Sequence, residues 1–348
     1  MQFIGTGVLT IDIVQLCNAE FEPEQSVAFY AAGGTIANVL AYLSVLNASA
    51  QCLVIGAIGD DDLGSAALTD LSSFGVRCDF VERLAVSSRR IMHLISRSHR
   101  HLFSTRCTWC QRVFPRFPRY SPPSAWNQVN FRPQRAVLLI DRITEFAAKL
   151  ARELAPAAAV VFEPTRVAND DDVLRELVRV ARIVKFAADI PDRDRLVMAF
   201  DQEPHVGWKL LVETHGSDGI SIRTQDKQIS IRIHGVPSVD VLDEAGAGDA
   251  CTAGFLTALG ASLLDTKLPS PHLIDEAARR AQALGAITCA FYGAKGPLYA
   301  LSAGELRRRV DETLLANRVF DVRPASLPPA MSVPAAVPNA CRICRLPL

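Results

Sequence analysis

No acidic residue occurs between Glu82 and Asp141, although the chain as a whole carries 37 acids against 37 lysines and arginines. The overall balance excludes a net field that would gather nucleic acid or an anionic membrane, so any such attraction must be local. Charge of either sign is missing from residues 27–59, a length sufficient for a membrane span. The content of that run argues otherwise. Gly33 and Gly34 interrupt it, and Asn38, Ser44, Asn47, Ser49 and Gln51 scatter polar groups through it, so a buried helix followed by a buried strand is expected. The first twelve residues lack a basic start, and their short apolar run ends in an acid. Neither a signal peptide nor an anchor is therefore expected, and the expected location is cytoplasmic with no membrane partner.

A chain without a leader also has little use for a disulfide framework. Of nine cysteines, Cys17, Cys52, Cys78, Cys251 and Cys289 stand singly among apolar neighbours and read as core packing. The other four form two Cys-x-x-Cys pairs, Cys107 with Cys110 and Cys341 with Cys344. Four thiolates from two such pairs are the ligand set of a structural Zn2+ site, which would pin the tail to the middle of the chain. Independent thiols and a redox pair are the alternatives.

With 49% apolar and 21% charged residues, the composition is that of a globular protein with a sizeable core. Strand-like runs at 3–8, 52–58, 136–140, 158–162, 183–186 and 210–214 alternate with helical patterns at 36–46, 63–73, 144–154 and 171–181. That alternation predicts a mostly parallel sheet with helices on both faces. Residues 220–222 and 229–233 predict an edge hairpin, and 246–259 and 273–289 two further helices. Residues 324–338 are rich in proline and alanine and predict an extended strap. The acid-free region holds eleven arginines, among them Arg83, Arg89 and Arg90, and seven aromatics from Phe103 to Phe131. Solvated or structural roles are the first expectation for these arginines. Bidentate recognition of an anionic acceptor comes second, and single-stranded nucleic acid is the least expected partner.

Residues 243–255 form a glycine-rich turn that runs into an apolar helix. Small residues let backbone N–H groups converge there, and the helix start adds partial positive charge, so the turn suits an anion. Asp249, in the first helical turn, reads either as a charge that favours the helix dipole or as a general base beside a phosphate cradle.

This segment resembles the second signature of the ribokinase-like, or phosphofructokinase B, carbohydrate kinases, Asp-Thr-x-Gly-Ala-Gly-Asp before a helix. The first signature is matched by Gly33-Gly34-Thr35-Ile36-Ala37-Asn38, by residues 56–64 and by Gly75-Val76, and residues 212–219 are similar to a third landmark. Together these span about residues 3–300. The resemblance implies a three-layer α/β domain over residues 1–318, a small β-lid and Arg-rich insert near 12–32 and 88–132, and a C-terminal strap over 319–348. It implies ATP with Mg2+ as donor, a hydroxyl of a sugar, nucleoside or related polyol as acceptor, and a homodimer formed through the lid. Asp12, at the end of the first strand, would bind the acceptor with Gly33, Gly34 and Asn38. Gly246, Ala247 and Gly248 would form the anion hole and Asp249 the base, while Thr214, Gly216, Gly219 and Gly293 would line the nucleotide. For Asp12 and Asn38 a turn-forming acid and a buried helix amide remain the structural alternatives. Two departures stand out. The family's magnesium-organising Asn-x-x-Glu is replaced by Lys185-Phe186-Ala187-Ala188-Asp189, and Glu244 stands where the family prefers Thr. They keep open a second class, a weak or inactive kinase-fold protein that binds an anionic ligand or nucleic acid through its insert.

Overall fold

The computed structural model describes residues 1–18, 20, 22, 28–96, 100–116, 135–166, 170–205, 207–237, 241–319 and 340–346. The strap expected at 324–338 lies outside the described residues, as do Arg97, Arg119, Arg132 and the aromatics Phe117, Tyr120, Trp126 and Phe131. The strands are β1 (Gln2–Thr6), β2 (Thr10–Cys17), β3 (Phe29–Gly33), β4 (Gln51–Gly59), β5 (Val76–Leu84), β6 (Arg90–Ser96), β7 (His101–Ser104), β8 (Ala136–Ile140), β9 (Ala158–Phe162), β10 (Ala181–Ala187), β11 (Leu210–Thr214), β12 (Ile220–Thr224) and β13 (Ser230–Ile233). The helices are α1 (Thr35–Leu46), α2 (Asp62–Ser73), α3 (Glu145–Leu154), α4 (Asp171–Val180), α5 (Arg193–Gln202), α6 (Ala247–Leu259), α7 (Pro271–Cys289), α8 (Gly296–Ala300) and α9 (Ala303–Ala316).

Nine strands form one sheet in the order β13-β12-β11-β10-β9-β8-β1-β4-β5. It is parallel from β11 to β5 and ends in the antiparallel hairpin expected at one edge. Side chains alternate across each central strand. Phe3, Leu139, Val161, Ile183 and Leu210 enter the core shared with α1, α6 and α7, while Ile4, Leu138, Val160, Val184 and Leu211 enter the one under α3, α4 and α5. Both faces are covered, which is why these strands read as continuous apolar runs. The uncharged stretch 27–59 resolves into β3, α1 and β4. The stretch Ala247–Leu264 is apolar and long enough to cross a membrane by composition, but half of it is buried within this fold.

A second sheet, β3-β2-β6-β7, is built from the segments expected to form the lid, with β2 antiparallel to β3 and parallel to β6. It places Asp12 inside β2, the lid's own strand, rather than at the end of the first strand as expected from sequence. β5 was not expected either, because Arg77, Asp79, Glu82 and Arg83 give this half-exposed edge strand the composition of a loop.

Helix starts differ in how they are capped. Asp61, Thr144, Asp170, Ser270 and Ser302 cap α2, α3, α4, α7 and α9 with their side chains. α1 and α6 begin instead at Gly34 and Gly246, at φ 102° and 75°, with no side-chain cap. Their first N–H groups lack intrahelical acceptors, and in α6 that of Ala247 donates to Glu244 O at 3.3 Å.

Candidate active site

α1 and α6 cross so that Asn38 Nδ2 donates to Asp249 Oδ2 at 2.7 Å. The lid approaches the same place. A Cβ on Gly33 would lie 2.1 Å from Asp12 Oδ1, so glycine is what lets β3 pass the acid. Asp12 accepts from Thr10 Oγ1 at 2.8 Å and faces His93 Nε2 at 3.5 Å. Burial alone would raise the Asp12 carboxyl, yet the charge and hydrogen bond of His93, with Thr10 and Lys295, hold it below the usual value. His93 rises correspondingly, because Asp12 outweighs its burial. A second lid histidine, His101, reaches Asp243 Oδ1 at 3.1 Å. Asp243 also accepts from the N–H groups of Ala245 (2.9 Å) and Gly293 (2.7 Å), which fixes the glycine-rich turn from within.

Asp249 is pushed up to about 7, first by burial and then by the charge of Glu163, against the opposing effects of the Asn38 hydrogen bond and Lys185. Glu163 follows β9 and Lys185 lies in β10. Lys185 Nζ donates to Glu163 Oε1 and, at 3.2 Å, to the carbonyl of Gly248, while Thr252 Oγ1 donates to Glu163 Oε2 at 2.6 Å. Burial would lower Lys185, but Glu163 keeps it raised and charged. The segment matched to the magnesium motif therefore turns a buried ammonium toward the carbonyl of Gly248, and Asp189 is exposed. Asp141, at the end of β8, is buried and pushed up to about 6 by that burial, with Glu163 adding to the effect and Arg142 opposing it.

Glu163 and Asp141 were missed in the sequence. The signal was an acid directly after an apolar run, at the carboxyl end of a parallel strand, where α/β proteins gather their ligands. The pair of His93 and His101 had no such signal, because β6 and β7 bring them together only in the fold.

The turn expected to form the anion hole is Gly246, Ala247 and Gly248. A Cβ on Gly248 would meet nothing within 4 Å, so this backbone faces open space, whereas one on Gly246 would lie 2.5 Å from Ala294 Cα. Thr214 ends β11 beside Ala187 of β10. Gly216, at φ 56°, opens the short 3-10 turn Gly216–Asp218 into free space. At Gly219, φ 105°, a Cβ would lie 1.9 Å from the carbonyl of Ile233. Gly293 packs elsewhere, against Phe29 of the lid and Asp243 of the turn.

Cys107, Cys110, Cys341 and Cys344 come together with all four Sγ atoms within 4.8 Å of one another. Both segments fold alike. The N–H of Gln111 donates to Cys107 O and that of Arg345 to Cys341 O, while Cys107 N donates to Arg112 O and Cys341 N to Leu346 O. Gln111 and Arg345 are both left-handed, at φ 59° and 60°. Hydrogen bonding from the Cys344 thiol holds Cys107 down to about 5, and the same contact pushes Cys344 up. Of the arginines in the acid-free region, Arg83 pairs with Asp60 at 2.7 Å and the buried Arg90 with Asp61 at 3.0 Å, both structural roles.

Comparison with known proteins agrees with this fold. The chain is 28% identical over 292 residues to the ATP-dependent ribose-1-phosphate kinase of Halopiger xanaduensis, covering 82% of this chain and 90% of that protein. It is similar in structure to aminoimidazole riboside kinase from Salmonella enterica, with a TM-score of 0.63 at 21% identity over 90% of this chain and 100% of that one. Fructokinase from Vibrio cholerae gives a TM-score of 0.64 at 17% identity, over 90% and 98% of the two chains. The sequence pattern described as pfkB family carbohydrate kinase matches residues 6–300. The chain belongs to the pfkB family of carbohydrate kinases, enzymes that transfer phosphate to a hydroxyl acceptor.

Proposed function

We propose that Asp249 is the general base that accepts the acceptor's hydroxyl proton, and that Gly246, Ala247 and Gly248 form the anion hole of the transferring phosphoryl group. The observation that carries this reading is Asp249 in the first turn of an uncapped helix, oriented by Asn38 and with its proton affinity poised near neutrality. The acceptor oxygen attacks the γ-phosphorus of ATP as its proton passes to Asp249, and the bond to the ADP oxygen breaks. The N–H groups of this turn meet the charge that develops on the phosphoryl oxygens. Asp12, Gly33, Gly34 and Asn38 hold the acceptor, and Thr214, Gly216 and Gly219 line the nucleotide, with Gly293 closing the turn beneath it.

When bound with the nucleotide, Mg2+ neutralises phosphate charge. Glu163 is committed to Lys185 and Thr252, so the phosphates and water would supply most of the metal's ligands. Replacing Asp249 by Ala should cost about 10²- to 10⁴-fold in kcat with the fold kept; a folded, fully active Asp249→Ala protein would end this reading.

The acceptor we favour is an anionic sugar such as a sugar phosphate. Burial and the charge of Arg142 push Arg89, just before the lid strand β6, below its usual value while Asp141 opposes them, so two cations share one buried acid beside the lid and could take a further anion. The relative that acts on ribose 1-phosphate is consistent with that class. The lid also exposes Leu102, Phe103, Trp109 and Val113, which supports association of two copies through it.

The four cysteines are read as one structural zinc site. A tetrahedron of sulfurs at the zinc–thiolate distance has an edge of about 3.8 Å; Cys107 and Cys341 stand at 3.8 Å, Cys110 and Cys344 at 3.7 Å.

A further inference from the structure

We propose that the zinc held by these cysteines acts as a clamp fixing the lid sheet, and with it the acceptor residue Asp12, against the kinase core. This rests on the zinc reading of the four cysteines. Strand register divides the lid into two faces. On one, Ile11, Ile13 and Gln15 of β2 lie beside Arg90, Met92 and Leu94 of β6, with Tyr30 of β3 opposite Ile13. On the other are Asp12, Val14 and His93, which look toward the acceptor.

Both cysteine turns are seated on the first face. Thr108, inside the first turn, donates to Gln15 Oε1 at 2.6 Å. The second turn is held through its backbone, for Tyr30 Oη donates to Ile343 O and Arg90 Nε to Cys344 O, each at 2.7 Å. Arg90 then continues into the core, where its Nη2 lies 3.0 Å from Asp61 Oδ2, the side chain that caps α2. One buried guanidinium thus joins the terminal cysteine turn, the lid strand β6 and a core helix.

Residues 340–346 are seated by burial of Ile343 and Leu346 in the main core and by the Tyr30 and Arg90 hydrogen bonds, and the metal adds the tie that fastens them to the Cys107 turn. They form no helix or named strand, and they cover Tyr30 and Arg90 with a turn whose own first cysteine is 234 residues from its partner. A thiolate centre closes that long loop. Once released, the segment would leave the Arg90 guanidinium without one of its acceptors in a site that is 3% exposed, a costly state that repacking of β6 would relieve. His93 on β6 faces Asp12, so the acceptor face would move with it.

The test uses the full chain expressed with zinc supplied. Metal content and hydrogen exchange are measured on the wild type, on chelator-treated protein and on Cys341→Ser/Cys344→Ser. The expected result is about one zinc per chain, and roughly tenfold or faster exchange in β2, β3 and β6 once zinc is lost, with β8, β9 and β10 unchanged. Tyr30→Phe keeps all four cysteines and should loosen β3 and β2 to a smaller degree at full zinc content, which covers the case in which the double variant fails to fold. Less than about half an equivalent of zinc would remove the site and the clamp together. Full zinc with lid exchange indifferent both to chelation and to Tyr30→Phe would overturn the clamp alone. None of these readouts depends on turnover, so they separate the clamp from the kinase mechanism.

Discussion

At Asp249 two buried neighbours pull the proton affinity in opposite directions. Glu163 raises it and Lys185 lowers it, and burial sets the level from which both act. The pH dependence of kcat should therefore respond with opposite signs. Glu163→Gln should move the acid limb to lower pH, because a negative charge beside the base is gone. Lys185→Met should move it to higher pH. Each variant leaves a buried partner uncompensated and should lose about 3–5 kcal/mol of stability, so the profiles need to be taken well below the melting temperature. Identical acid limbs in wild type and both variants would show that Asp249 is not the titrating group. The same perturbation has a stability sign. A carboxyl whose folded pKa lies above its unfolded value, here 3.8, destabilises the fold increasingly as pH rises from about 4 to about 7. Asp249→Asn should accordingly raise Tm at pH 8 and leave it unchanged near pH 3.

α6 shows how much of one element was legible and where legibility ended. Its glycine-rich start and apolar body announced an apolar helix opening at a glycine, since that pattern is local. The ends of β9 and β10 did not announce Glu163 and Lys185 as its partners, because their pairing depends on which strands become neighbours. β5 was hidden by its charged edge, and Asp12 was assigned to the wrong strand because the chain leaves β1 and enters the lid within four residues. Within α6 the two cradle glycines should behave differently. Gly248 is not in the left-handed region and has open space before it, so Gly248→Ala should keep or slightly improve stability while its methyl obstructs the phosphoryl site and lowers turnover. Gly246→Ala meets both a left-handed φ and the Ala294 backbone, and should be markedly destabilised. Thermal melts beside ATP turnover check the pair; equal effects on both properties in both variants would speak against a cradle at this turn.

For the molecule as a whole, the layered core was readable from alternating runs, and the family from three separated landmarks. The lid was only partly readable. Its strands come from two distant segments and pair in the order β3-β2-β6-β7, an arrangement that no local pattern encodes. The cysteine pairs were legible as a donor set, but their seat on Tyr30 and Arg90 depends on contacts spanning most of the chain. The lid meets the core at His101–Asp243 and at Arg90–Asp61, while His93–Asp12 ties β6 to β2 within the lid itself. The central claim concerns the chemistry beneath that lid. Its most direct test is ADP release with magnesium present, from wild type and Asp249→Ala, across sugars, nucleosides and their monophosphates including ribose 1-phosphate. Release that depends on an acceptor, is strongest with a phosphorylated sugar and is lost in Asp249→Ala is the predicted result; ATP binding without acceptor-dependent release from any of them would contradict it.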